Sequence, residues 1–226
     1  MSTASLVSPR LHTVDLSNNS ISNIEPNPFH NLNTLIMSHN EIVNASNLIA
    51  YCVDLEKLDL SYNFIRTMEL TNSCLSLLEL RVPHNELTTF RVSSEVPLHL
   101  RSLYLSSNKL RDITSKNFQN LKDLSTLDLS CNPILYENNS AANLFQNTIQ
   151  LEYLNLSSTA MQKLTLGIFT KLYKLVELDS KLYKLVELDL SHNDLSYLPK
   201  GIFHDTKISL KIYRIYQKEY STIPRV

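Results

Sequence analysis

The stretch Leu55-Glu-Lys-Leu58-Asp-Leu60-Ser-Tyr-Asn63-Phe-Ile65 decides the fold. Its frame, L-x-x-L-x-L-x-x-N-x-L, recurs with starts at Leu11, Leu32, Leu55, Leu77, Leu100, Leu124, Leu151 and Leu185. The turn position holds Asn19, Asn40, Asn63, Asn85, Asn108, Asn132, Thr159 and Asn193. A self-similar period in the low twenties is the signature of a solenoid, in which one supersecondary unit stacks on the next. Within each unit the x-L-x-L-x segment has period two, which sends alternate side chains to opposite faces of a strand. Leu58 and Leu60 therefore point inward, and Lys57, Asp59 and Ser61 point out. One such strand cannot bury its own apolar edge, whereas stacked copies join a parallel sheet over a continuous core. The Asn then ends the strand and turns the chain. Thr159 brings only a hydroxyl, which predicts a looser turn in that repeat.

The consensus resembles the leucine-rich repeat, from Leu11 to Phe203, and the return segments resemble the type found in animal extracellular proteins. There Phe29, Phe118, Phe169 and Phe203 follow the turn by roughly ten residues and fill the convex side. Two glycines in the whole chain exclude the plant receptor type, which needs one per repeat. The returns are also too short for the long helices of ribonuclease-inhibitor-like repeats. The expected fold is an α/β-type solenoid: a partial horseshoe with a parallel concave sheet and irregular, 3-10 or short-helical returns. Eight strands at the usual spacing give an inner arc of about 34 Å. Residues 1–10 form a lead, 11–203 the repeats and 204–226 an off-pattern tail. In that tail Ile208, Leu210 and Ile212 alternate before a Lys- and Tyr-rich end, which reads either as a makeshift cap or as an off-frame extension.

Two irregularities stand out. The decamer at 171–180 is repeated at 181–190 with nine of ten positions matching. The second copy continues the frame, so the first must bulge from the solenoid or form a short amphipathic helical turn on the convex side. It is either an insertion loop or a duplication, and it brings no new chemistry. Cys52 and Cys74 occupy the same slot of consecutive repeats. They read either as a disulfide between stacked positions or as free, small buried hydrophobes. Cys131 has no counterpart.

With 21 basic and 22 acidic residues the chain is nearly neutral, which gives no support for a nucleic acid or an acidic membrane as partner. It has no apolar run long enough to span a bilayer. The first ten residues lack the basic and apolar regions of a signal peptide. Extracellular relatives carry Cys-rich caps that are not seen here, so the expectation is a piece of a longer protein. Asn18, Asn44, Asn138 and Asn155 lie in N-x-[ST] sequons. Such sequons arise by chance in a chain this rich in Asn, Ser and Thr. Asn44 and Asn138, on return loops, are the better glycan acceptors, and Asn155 projects from the concave sheet.

The sequence holds no phosphate loop, nucleophile elbow or metalloprotease motif, so no catalytic, cofactor or metal residues are expected. His39, His84 and His192 share the slot before the turn Asn but belong to separated repeats, at least about 10 Å apart, and read as solvated turn histidines. Asp15, Asp59, Asp128 and Asp189 recur in the L-D-L slot, as is common in the family. The concave positions that vary carry more information. Ile36, Lys57, Asp59, Arg81 and Tyr104 form the candidate contact patch, since Tyr and Arg are enriched at binding hot spots. The alternative is a solvated sheet with scattered apolar residues. The resemblance, to Toll-like receptor ectodomains and chaoptin-like adhesion proteins, implies non-catalytic recognition of a protein or pathogen ligand or a co-receptor at the cell surface. The alternative is an intracellular scaffold or regulatory subunit.

Overall fold

The computed structural model describes residues 11–25, 31–136, 143–165, 168–169, 185–200 and 202. The lead, the tail, the first decamer copy, Phe29, Phe203 and Asn138 lie outside them. Each repeat frame contributes one three-residue strand: β1 (Thr13–Asp15), β2 (Thr34–Ile36), β3 (Lys57–Asp59), β5 (Glu79–Arg81), β7 (Ser102–Tyr104), β8 (Thr126–Asp128), β9 (Tyr153–Asn155) and β10 (Glu187–Asp189). They form one parallel sheet in that order. The register places Val14, Leu35, Leu58, Leu80, Leu103, Leu127, Leu154 and Leu188 in a single inward row. From Leu35 onward that row is buried, together with a second row from Met37 and Leu60 to Leu190. The second decamer copy supplies β10.

The strands are short because a turn follows each at once. Asn18, His39, Tyr62, His84, Ser107, Cys131, Ser158 and His192 all have φ between 53° and 56°. These left-handed residues each cost about 1 kcal/mol or more without glycine. The side chain of the next residue holds the bend in place. Asn63 Nδ2 lies 2.9 Å from the Met37 carbonyl of the preceding repeat, and 3.1 and 3.2 Å from those of Leu60 and Ser61. Its Oδ1 accepts the N–H of Ile42, again in the preceding repeat, at 3.0 Å. Asn40, Asn85, Asn108 and Asn132 make the same set. All five are buried, so each side chain satisfies backbone groups that water cannot reach.

Thr159 breaks the ladder, and the outcome differs from the looser turn expected. Its hydroxyl donates to the Leu156 carbonyl at 2.8 Å but makes no bond to the backbone of the preceding repeat. The Ile134 N–H, deprived of an Asn Oδ1, turns to the Asn132 carbonyl instead. Tyr136 fills the vacant volume, its hydroxyl donating to Thr159 Oγ1 at 2.7 Å. Thr159 is fully buried as a result.

The returns contain a helix α1 (Ser46–Ala50) and 3-10 turns at Asn72–Cys74 and Ser115–Phe118, as the short returns imply. They also contain a feature the pattern does not announce, a parallel pair β4 (Thr67–Leu70) and β6 (Thr89–Val92). Deeper in, Phe90, Phe118, Phe145 and Phe169 form a file with ring centroids 6.5, 6.3 and 6.5 Å apart. Phe90 and Phe145 do not stand ten residues from the turn: Phe90 lies five residues after Asn85, on β6, and Phe145 lies thirteen after Asn132 in a longer return. Cys52 and Cys74, both buried, are paired as a disulfide with Cα atoms 5.3 Å apart.

Two outcomes follow for stability. Replacing Asn85 by Ala leaves several buried backbone groups unpaired and lowers unfolding free energy by about 3 kcal/mol in denaturant titration. Asn19→Ala, whose Nδ2 bonds only its own turn, gives a clearly smaller loss. For Tyr136, burial raises the phenol above its ordinary pKa of 10.0. The folded state thus favours the neutral form, and this contribution is complete below pH 10 and declines as pH rises above it. Between pH 10 and 12 the wild type should lose more stability than Tyr136→Phe, as read by thermal melts across that range.

Candidate ligand-binding surface

The outward positions of the concave sheet fall into two rows fixed by the register. One runs Asp15, Ile36, Asp59, Arg81, Tyr104, Asp128, Asn155, Asp189; the other runs Thr13, Thr34, Lys57, Glu79, Ser102, Thr126, Tyr153, Glu187. Four of the five candidate residues, Ile36, Asp59, Arg81 and Tyr104, are consecutive in the first row. Lys57 stands beside them in the second. They therefore share one surface, with a hollow of about 140 Å³ between Thr34, Ile36, Lys57, Asp59, Glu79 and Arg81.

Glu79, not among the five candidates, is the hub of this surface. Arg81 Nε donates to its Oε1 at 2.6 Å, and Lys57 Nζ lies 3.8 Å from its Oε2. The guanidinium carbon of Arg81 sits 4.4 Å from the centre of the Tyr104 ring, a cation–π contact. Glu79 on one side and Tyr104 on the other hold Arg81 in a fixed pose. The hydrogen bond to Glu79 is also the main reason its pKa is raised, so that it stays charged. Only the register shows Glu79 between two cations.

The acidic slot has a local role. Asp59, Asp128 and Asp189 each accept the N–H of the Ser two residues on, at 2.9, 2.9 and 2.8 Å. Asp59 and Asp128 also accept the hydroxyl of that Ser. Asn155 makes the same pair of bonds to Ser157 at 3.0 and 2.8 Å. These side chains brace the exit from the strand while leaving Oδ2 or Nδ2 to the surface. Asp59 thus works in the turn as well as in the patch, and Asn155 is engaged in the sheet rather than free on a loop. Asn44 is exposed, its Oδ1 accepting the Ser46 N–H at 2.8 Å.

The turn histidines are exposed to solvent, and two of them also belong to a ring stack. The intervening repeat places Tyr62 between His39 and His84, and the three rings stack with centroids 4.2 Å apart on each side. Tyr62 escapes a search for histidines. Its signal is the shared slot, one position before the turn Asn. Among the described residues no group of three His, Cys, Asp or Glu side chains is placed to hold a metal. No helix among them is long and apolar enough to cross a membrane.

Family models described as leucine rich repeat match residues 9–65, 98–136 and 184–205, just over half of the chain. The chain belongs to the leucine-rich repeat family. It is 31% identical to human Toll-like receptor 8 over 188 residues, 73% of this chain and 18% of that one. It is 30% identical to human lumican over 220 residues, 86% of this chain and 62% of lumican. This leucine-rich repeat chain thus spans less than two thirds of either relative. Among solved structures it resembles that of a TLR13–ssRNA13 complex, at TM-score 0.65 and 29% identity, over 84% of this chain and 26% of that one. An octameric complex of latrophilin 3, Unc5D and the leucine-rich repeats of FLRT2 shares the fold, at TM-score 0.58 and 23% identity, over 87% of this chain and 64% of that one. A solenoid of this kind is a recognition scaffold whose partner is set by its surface residues.

The bracing role of the acidic slot is open to test. Asp128→Ala should cost about 1–2 kcal/mol in denaturant unfolding, since two bonds to Ser130 are lost. Asp128→Asn should cost less than about 0.5 kcal/mol, because Asn keeps the accepting oxygen as it does at position 155.

Proposed function

We propose that this chain is the recognition part of a secreted or cell-surface receptor or adhesion protein, and that it binds a protein ligand or co-receptor through Ile36, Lys57, Asp59, Arg81 and Tyr104. The observation that carries this reading is the pose of Arg81. A guanidinium fixed between a carboxylate and an aromatic ring has already lost the rotamer freedom that binding would otherwise remove. Hot spots are built from such ordered Arg and Tyr side chains.

The paired Cys52 and Cys74 support an oxidising compartment, and the exposed Asn44 sequon offers a glycan acceptor there. Identity to Toll-like receptor 8 and to lumican supports the same placement. Pathogen-ligand recognition in innate immunity is the narrower form of the proposal. An intracellular scaffold is the competing reading, and it predicts reduced cysteines and an unmodified Asn44.

The test uses the chain secreted from mammalian cells behind an added signal sequence, presented to a panel of purified cell-surface and secreted ectodomains. A partner should be found whose binding falls at least about tenfold in Arg81→Ala and in Tyr104→Ala. It should be unchanged in Lys122→Ala, which lies outside the concave sheet. Binding that ignores the concave substitutions contradicts the proposal. So does a panel without any partner, or preferential binding of single-stranded RNA over every ectodomain.

A further inference from the structure

The concave sheet divides electrostatically between β7 and β8. On the β1 to β7 side, Lys57, Arg81 and Arg101 nearly balance Asp15, Glu56, Asp59 and Glu79, and Glu79 is paired with Lys57 and Arg81. Beyond it, the strands β8, β9 and β10 with their flanking residues (125–129, 152–156 and 186–190) carry Asp128, Glu152, Glu187 and Asp189 but no Lys or Arg. Among the described residues none of these four carboxylates has a cationic partner. Three strands span about 10 Å, so their charges lie about one Debye length apart or closer and act together.

The same region is hollow and walled by aromatic rings. A depression of about 450 Å³ is lined by Tyr104, Thr126, Asp128, Tyr153, Glu187 and Asp189, with Asn155 on its floor. Tyr153 is 44% exposed although its strand, β9, is paired on both sides. Tyr104 marks the boundary, and its ring already receives the guanidinium of Arg81. The protein therefore shows on one side of Tyr104 the kind of contact that the other side offers to a partner.

We propose that this depression is a docking site for an arginine side chain of a partner protein. The carboxylates supply charge-assisted acceptors for the guanidinium, and Tyr153 and Tyr104 supply faces for its plane. A neutral or acidic side chain would leave the carboxylates uncompensated on burial, so charge complementarity selects the cation. The inference rests on the concave sheet being the contact face, and it assigns to the β8–β10 half a cation subsite distinct from the Arg81 patch.

The serine-bonded carboxylates make a clean test, because Asp128→Asn and Asp189→Asn remove charge while keeping the acceptor that braces the turn. The probe is a capped peptide of alternating Gly and Arg, with the same peptide carrying citrulline, a neutral isostere, as control. Binding to the whole chain is followed by amide chemical shifts and by calorimetry. The expected result is saturable binding of the arginine peptide with shifts centred on residues 126–128, 153–155 and 187–189. The citrulline peptide should bind at least tenfold more weakly. The double variant Asp128→Asn, Asp189→Asn, and separately Tyr153→Ala, should weaken the arginine peptide at least tenfold, whereas Glu95→Gln should not. Absence of binding at millimolar peptide, shifts centred elsewhere, equal binding of citrulline, or indifference to the variants would each overturn the proposal. Because the probe is defined, a failed ectodomain screen and a failed peptide titration remain separate results.

Discussion

The structure depends on one side chain that does two jobs in adjacent repeats. The turn Asn closes its own bend with two Nδ2 contacts and reaches back with Nδ2 and Oδ1 to the preceding repeat, as at Asn63. Stacked leucines provide the driving force, but apolar packing alone does not fix the register of three-residue strands. The Asn bonds do, because they are directional and buried. They also hold left-handed turns that are occupied here by Tyr62, Cys131 and histidines rather than by glycine. Where the ladder is interrupted at Thr159, the fold persists because Tyr136 occupies the same volume and offers a hydroxyl. The requirement is therefore for a filled and satisfied turn, for which Asn is the economical solution.

A scaffold held from within leaves its outer strand positions free to carry specificity. Every second residue of each strand is committed to the core, and the L-D-L-S phrases commit part of the remainder to bracing the strand exit. What is left is a small set of side chains whose neighbours are dictated by register. That constraint brings Lys57, Glu79, Arg81 and Tyr104 into one network although they come from three different repeats. It also segregates charge along the sheet, with Lys57 and Arg81 balanced by Asp59 and Glu79 on β3 and β5 and, among the described residues, carboxylates without a cationic partner toward β10. Rigid spacing of this kind favours recognition of an extended or multi-point partner surface, since each contact is presented at a fixed interval with little ordering cost on binding.

Much of the fold was legible because it is written in a repeated frame. The strand positions, their parallel order and the inward leucines follow from the period alone, and the turn Asn announces where each strand stops. The exceptions arise where a feature belongs to the space between repeats rather than to one of them. Phe90 and Phe145 join the aromatic file at different distances from their turns, so counting within a repeat misses them. Tyr62 completes a ring stack whose outer members are histidines two repeats apart. The β4–β6 pair forms between return segments that carry no shared consensus. Of the candidate surface, Ile36, Asp59, Arg81 and Tyr104 were visible as variable slots. The central place of Glu79 and the depression around Tyr153 needed the register to be seen, because charge pairing across strands has no signature along one strand.

Native-state hydrogen exchange resolved at single amides tests the central claim most directly. The amides of Ile42, Ile65, Leu87 and Leu110 each donate to an Asn Oδ1 of the following repeat. They lie outside the strands, where ordinary return-segment amides exchange quickly. If the Asn ladder holds the repeats together, these four exchange as slowly as the sheet amides of Leu58 and Leu80, through the same cooperative opening. Exchange at the rate of exposed loop amides such as Val43, with the sheet still protected, would show that leucine packing alone maintains the solenoid and would contradict the account.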